Sequence, residues 1–447
     1  MIALIPTTLR HDLALRRQPR GLEVLGTTRP RSKESTGEAR GASGSTLIPS
    51  MLGKKPNRAA LMWATGLIAY FYAALRGLNP LCNYAFEHWL LTWDAGFIKR
   101  GLVGSLLHPV LERLPASEMR GFVTMLSLTV FTALSVLLLR AAYHVASVGL
   151  TSPWRSPEAW ALPSVSLAFL SSSGVILAAS TLGFFDHLLL ISAVLSIELV
   201  AHRRFGWVGM LCVFSLAVHE IFAVYGLPIV LFAMILQNGV DPVDEGSTRR
   251  WRVFGWLVPS LVLFAFITYS SNHIPAARLL AVRAELTSMG TLNPGQVDNA
   301  VYHLEHNLVA NYQAQRGMIA QRVFDIRIDR VAWPEIIVLV GAALTLVCSV
   351  KTSLRRAVTG PFLVLVSVAP LLAHFVAWDA TRFTNLAVMQ SFAVLYAVVR
   401  ILRPAPPGRR VGVILILLSM MALAASLYWK SPLMSGYVDG HGVIRVR

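Results

Sequence analysis

The chain has 447 residues, 55% of them hydrophobic and only 14% charged, and 40 Lys and Arg outweigh 23 Asp and Glu for a formal charge of +17. Soluble domains carry roughly 25% charged residues, so a single soluble domain is excluded, and mean hydropathy of +0.58 points to a protein that lives mostly in a bilayer. Because many of the Lys and Arg stand at the ends of apolar runs, the charge excess is read as topology information, and no nucleic-acid partner is expected.

Residues 1–57 are rich in Arg, Ser, Thr, Gly and Pro, without a long apolar run or a cleavable leader, and are expected to be a disordered basic segment. Met51, just before Lys54 and Lys55, is a natural start, which would make the first 50 residues an upstream extension. Apolar runs of near-spanning length then fall at 59–75, 120–139, 160–181, 187–201, 205–219, 222–236, 253–271, 334–350, 360–378, 383–399 and 411–429. The stretch 205–236 also reads as one long helix broken at His219 and Glu220.

The basic loops arbitrate. Arg140 and Arg155, Arg203 and Arg204, Arg249 to Arg252, Lys351 to Arg356, and Arg400 to Arg410 all share one side if eleven spans are drawn. The expected fold is therefore all-α, a polytopic transmembrane bundle over 58–430 with about 11 spans. Its N-terminus is inside, its C-terminus outside, and 431–447 form a short outer tail. The outer face receives the segments 76–119 and 272–333 and the turns at Asp186, at His219 and Glu220, and at 379–382.

These outer segments hold most of the chemistry-bearing residues. The first contains Trp93 and the stretch DAGFIKRGLVG from Asp94 to Gly104. There Lys99 and Arg100 would hold a phosphate, and Asp94 would take a proton from an attacking hydroxyl; an ion pair of Asp94 with Lys99 or Arg100 in a turn is the alternative. Asp186 opens a helix, where the unpaired backbone N–H groups stabilise a carboxylate. His219 and Glu220 sit at a membrane edge, where ionisable groups usually face a cavity or a partner. Asp379 and Arg382, three apart, form a helical ion pair or leave Arg382 to grip a phosphate.

In 272–333, Val297, Val301, Leu304 and Leu308 recur on one helical face, the pattern of an amphipathic lid. His303, Glu305 and His306 supply half a metal site. Cys82, Cys212 and Cys348 have neither disulfide nor zinc spacing. No metal site is assigned, and no cofactor beyond a divalent cation left open.

The layout resembles the C-type (GT-C) glycosyltransferase superfamily: many spans, an acidic residue in the first outer loop, further acids at later outer span ends, and a large late outer loop. Asp94–Gly104, with Val218-His219-Glu220 as companion, is also similar to a pattern in uncharacterised bacterial polytopic proteins. The resemblance implies a polyprenyl-phosphate-linked sugar donor used at the periplasmic face of a bacterial inner membrane, and a glycan or lipid acceptor. Asp94 would be the base, Lys99, Arg100 and Arg382 would neutralise the departing phosphate, and Asp186, His219, Glu220, Asp379 and Trp93 would line the cavity. One departure stands out: many members pair acids in the first loop, whereas Asp94 stands alone. A polysaccharide polymerase leaning on Arg278, Arg283 and Arg316, and a transporter or flippase with a carboxylate relay, are the competing readings.

Overall fold

A computed structural model describes residues 58–94, 96–240, 253–271, 273–305, 312–313, 316–317, 331–350, 353–375 and 380–428. The segment 1–57, the tail 431–447, Asp379, His306 and Leu308 lie outside the described residues, as does the side chain of His303.

Every regular element among the described residues is helical. In chain order these are α1 (Arg58–Gly77), α2 (Asn83–Leu90), α3 (Gly101–Leu111), α4 (Ala116–Gly149), α5 (Pro157–Leu170), α6 (Ser173–Ser180), α7 (Asp186–Ala201) and α8 (Phe205–Val218). There follow α9 (Phe222–Val240), α10 (Val258–Ser271) after a 3-10 turn at Val253–Leu257, α11 (Ala276–Ser288) and α12 (Pro294–Glu305). The last are α13 (Ala332–Ser349), α14 (Ser353–Val368) with a 3-10 extension at Ala369–Phe375, α15 (Ala380–Leu402) and α16 (Arg409–Tyr428).

Among the described residues eight stretches are long and apolar enough to cross a membrane, which makes this a multi-pass membrane protein. Among the described residues each of the eleven sequence-expected apolar runs is mostly helical, and three are too short or too interrupted to count as spans alone. The 205–236 stretch is two helices, parted at His219, Glu220 and Ile221, where His219 has extended backbone (φ −162°, ψ 126°). The 160–181 run is broken at Ser171 and Ser172, and the Ser172 hydroxyl caps α6 by accepting from the Val175 N–H.

Burial separates centre from rim. The windows over α5–α6 and α15 are each 89% buried, whereas those over α1, α4, α10 and α16 lie between 17% and 28%. A helix apolar all round belongs in the core; the outer helices turn Ile68, Phe71, Met125, Val262 and Met420 outward, the surface a lipid environment accepts. Where α1 meets α6, a Cβ on Gly77 would lie 1.9 Å from the Ile176 carbonyl oxygen, so only glycine permits the contact.

Polar contacts sort the helix ends into two groups. At one end Arg76 donates to the Ser426 carbonyl (2.9 Å), and Glu335 accepts from the Ser173 N–H (2.9 Å), the Ser173 hydroxyl (2.5 Å) and the Ser426 hydroxyl (2.6 Å). At the other, Arg58 reaches the Ser152 carbonyl (3.2 Å), and Glu198 accepts from Arg400 (3.0 Å) and from the Tyr396 hydroxyl. Asp186 begins α7 and Glu198 nearly ends it, twelve residues and about 18 Å apart at the helical rise.

Candidate functional site

The end that holds Arg76 and Glu335 also gathers most of the residues singled out in the sequence, and it does so through the loop from Leu91 to Arg100. That loop folds back on α3 because its glycines allow it. Gly96 has φ +103°, and a Cβ on Gly104 would lie 1.9 Å from the Leu91 carbonyl oxygen. Ser105 accepts from the Trp93 N–H (2.7 Å) and donates to the Gly101 carbonyl (2.8 Å), while the Trp93 indole N–H reaches the Ile98 carbonyl (2.8 Å). Trp93 thus pins the loop to itself, its ring lying where a Cβ on Gly101 would be.

Two clusters result. The first is buried. Arg382, at the start of α15, donates Nε and Nη2 to the two Asp186 oxygens (2.6 and 2.8 Å), with both side chains less than a tenth exposed. Its guanidinium also lies 4.8 Å from the Phe184 ring centroid and 5.6 Å from that of Phe383. Beside it Arg100, in a left-handed conformation (φ 67°), gives Nη2 and Nε to Glu220 (2.8 and 3.4 Å) and holds Nη1 at 3.2 Å from His88 Nε2. His219 Nδ1 lies 3.2 Å from Glu220 and accepts from the Ile221 N–H (3.2 Å). The buried Lys99 ammonium interacts electrostatically with both Glu220 and Arg100.

The break between α8 and α9 is what lets Glu220 turn toward Arg100. Burial opposes ionisation of Glu220, but Arg100, His219 and Lys99 override it and hold the carboxyl well below the usual carboxylate range. For Lys99, burial wins: with Glu220 opposing and Arg100 adding to it, the ammonium is brought down to about 8. Among the described residues, three cations here face two carboxylates, an excess suited to an anion.

The second cluster lies on the other flank of the loop and is more open. Asp94, 55% exposed, approaches His108 Nε2 at 2.9 Å, and Glu112 approaches the same nitrogen at 2.9 Å. Glu285, from α11, accepts from the Thr92 hydroxyl (2.6 Å). Burial, with Asp94 and Glu112 adding to it, pushes the Glu285 carboxyl up. One ligand atom each from Asp94, His108 and Glu285 lies within 4.8 Å of the others, and one imidazole nitrogen with carboxylate oxygens is a donor set that fits a divalent cation.

The alternative reading of Asp94, a turn ion pair with Arg100, is not what the described contacts show: the turn at Gly96 sends Asp94 to His108 and Arg100 to Glu220. Asp186 does open a helix, but its partner is Arg382, a pairing across 196 residues that no local pattern reveals. His108, Glu112 and Glu285 were missed; the i, i+4 spacing of His108 and Glu112 was a usable signal, while Glu285 had none. Glu335 was missed as well, although an acid inside an apolar run is itself a signal.

The hairpin α11–α12 packs against this loop and against α2. Arg278 donates to the Phe97 carbonyl (3.0 Å), Arg283 pairs with Asp298, and Asn299 donates to Glu87 (2.9 Å). Val297, Val301 and Leu304 form its buried face. Burial, partly offset by Asn299, pushes Glu87 up to about 7. No protein-family model matches the chain, and no curated protein or solved structure is significantly similar to it.

Proposed function

We propose that the chain is a membrane glycosyltransferase that takes sugar from a polyprenyl-phosphate carrier at the outer face of a bacterial inner membrane and passes it to a cell-envelope glycan or lipid. The observation that carries this reading is a single loop presenting an accessible Asp94–His108 pair on one flank and a buried cation excess on the other. In this reading eleven helices cross, with the basic loops inside and the C-terminus outside, as the two-ended sorting of polar contacts supports.

The chemistry divides accordingly. Asp94, oriented by His108, accepts the proton of an acceptor hydroxyl as its oxygen bonds to the anomeric carbon. The bond from that carbon to the phosphate oxygen breaks, with inversion, and the electron pair leaves on the lipid phosphate. Lys99 supplies positive charge to that phosphate, supported by Arg100 and Arg382, whose own charges are shared with Glu220 and Asp186. Asp94, His108 and Glu285 could instead hold a divalent cation, which would supply charge stabilisation, and Asp94 would then serve as a ligand and not as the base. The α11–α12 hairpin limits access and selects the acceptor.

The transporter reading is weakened by the separation of Asp186 and Glu198: the α7 stretch between them carries no acid or base beyond His187. The polymerase reading loses Arg278 and Arg283, which tie down the hairpin instead. The test is sugar transfer from a polyprenyl-phosphate donor in membranes. Asp94→Asn is expected to abolish turnover while expression and insertion stay normal, and retained turnover rejects Asp94 as the base.

A further inference from the structure

Far from the loop, at the end that holds Arg58 and Glu198, lies a cavity of about 210 Å³ between α1, α4 and α5. Its walls are almost wholly apolar, among them Met62, Leu139, Ala146 and Leu167. The Thr65 and Ser166 hydroxyls in its lining are spent on the Leu61 and Ala142 carbonyls. Apolar side chains predominate, so water entering the cavity would find few hydrogen-bond partners there. A short run of methylenes occupies the same room without that cost.

The mouth has a different character. Trp63 stacks on Tyr143 with centroids 4.8 Å apart, and Trp154 meets Trp160 edge-on at 4.4 Å. The Arg58 guanidinium lies 4.9 Å from the Trp154 ring and donates to the Ser152 carbonyl. Trp and Tyr with a basic residue are the side chains that settle at the headgroup level. Arg155 follows Trp154, and Arg409 and Arg410 open α16, which meets the start of α5 at Gly412 and Pro157. Glu158 is the acid beside them, and Arg409 is its electrostatic neighbour.

We propose that this cavity seats one acyl chain of an anionic phospholipid, with the lipid phosphate held at the mouth by Arg58. A tail moving from bilayer to cavity gains no hydrophobic free energy, since both surroundings are apolar. Selection therefore rests on the headgroup, and the positive rim chooses an anionic one.

The full chain, released from vesicles of equal phosphatidylglycerol and phosphatidylcholine, is examined by native mass spectrometry. Phosphatidylglycerol is expected to be retained about fivefold over phosphatidylcholine, the factor set by one Lys or Arg near an anionic surface. Ser164→Phe, which fills the cavity, removes the retained lipid, and Arg58→Gln, which leaves the cavity intact, brings the ratio toward one. Thr65→Trp, at an exposed lining position, is a second filling variant should the first not fold. Equal retention of the two lipids by the unaltered chain, or undiminished phosphatidylglycerol in both filling variants, overturns the proposal. Loss of self-association without loss of lipid assigns the groove to a second copy of the chain and overturns it equally.

Discussion

Replacing Asp186 by Asn keeps the shape of the buried pair and removes its negative charge. Arg382 then keeps its charge with its side chain 9% exposed, so water screens it little. Removing one partner of a buried pair typically costs about 3–5 kcal/mol. Because the faces of Phe184 and Phe383 remain to the guanidinium, the low end, about 3 kcal/mol, is expected. Removing both charges together, as Asp186→Leu with Arg382→Met, strands nothing and should come within about 1 kcal/mol of the parent. Titration of purified protein in mixed micelles with a denaturing detergent, followed by circular dichroism, measures both variants. An Asp186→Asn protein within about 1 kcal/mol of the parent refutes the premise that Arg382 depends on that carboxylate. Turnover divides structure from function: a stable double variant without transfer places Arg382 in the site, and one with full transfer makes the pair a tie between α7 and α15 only.

Transfer should fail at alkaline pH, because Lys99 loses its proton near pH 8 and donor affinity present below that value is lost as pH rises through it; Lys99→Arg should carry activity to higher pH, and an unmoved alkaline limb in steady-state kinetics removes Lys99 from the phosphate. Glu87, held at about 7, keeps its proton in the folded state above the ordinary carboxylate range, so the folded state binds the extra proton between about 4.5 and 7 and stability falls as pH rises through that window. Protection factors of α12 amides, taken against the intrinsic exchange rate at each pH, should accordingly fall toward neutral pH, and Glu87→Gln should abolish that fall. Gly104→Ala sets a methyl against the Leu91 carbonyl and should cost about 1–3 kcal/mol, read as a lowered melting temperature with weakened Asp94-dependent turnover. Cysteines placed near Asp94 and His219 should react with an impermeant reagent from outside while those near Arg203 and Arg403 do not; mixed sidedness rejects the proposed topology.

Much of the fold was legible along the chain. Runs of apolar residues must close their backbone hydrogen bonds internally in a bilayer, so the described part of each of the eleven is mostly helical, and the spacing of Val297, Val301 and Leu304 fixed the buried face of α12. Asp186, His219, Glu220, Arg100 and Arg382 meet at one end of the bundle, where the proposed crossings would bring them. Who pairs with whom does not follow. Arg382 takes Asp186 from a helix 196 residues away in sequence, and Asp94 turns from its near neighbour Arg100 to His108. Such choices are made by side-chain direction, backbone turns such as that at Gly96, and the packing of helices hundreds of residues apart. Composition sets which groups are costly to bury; only the assembled bundle decides which opposite charge stands within reach.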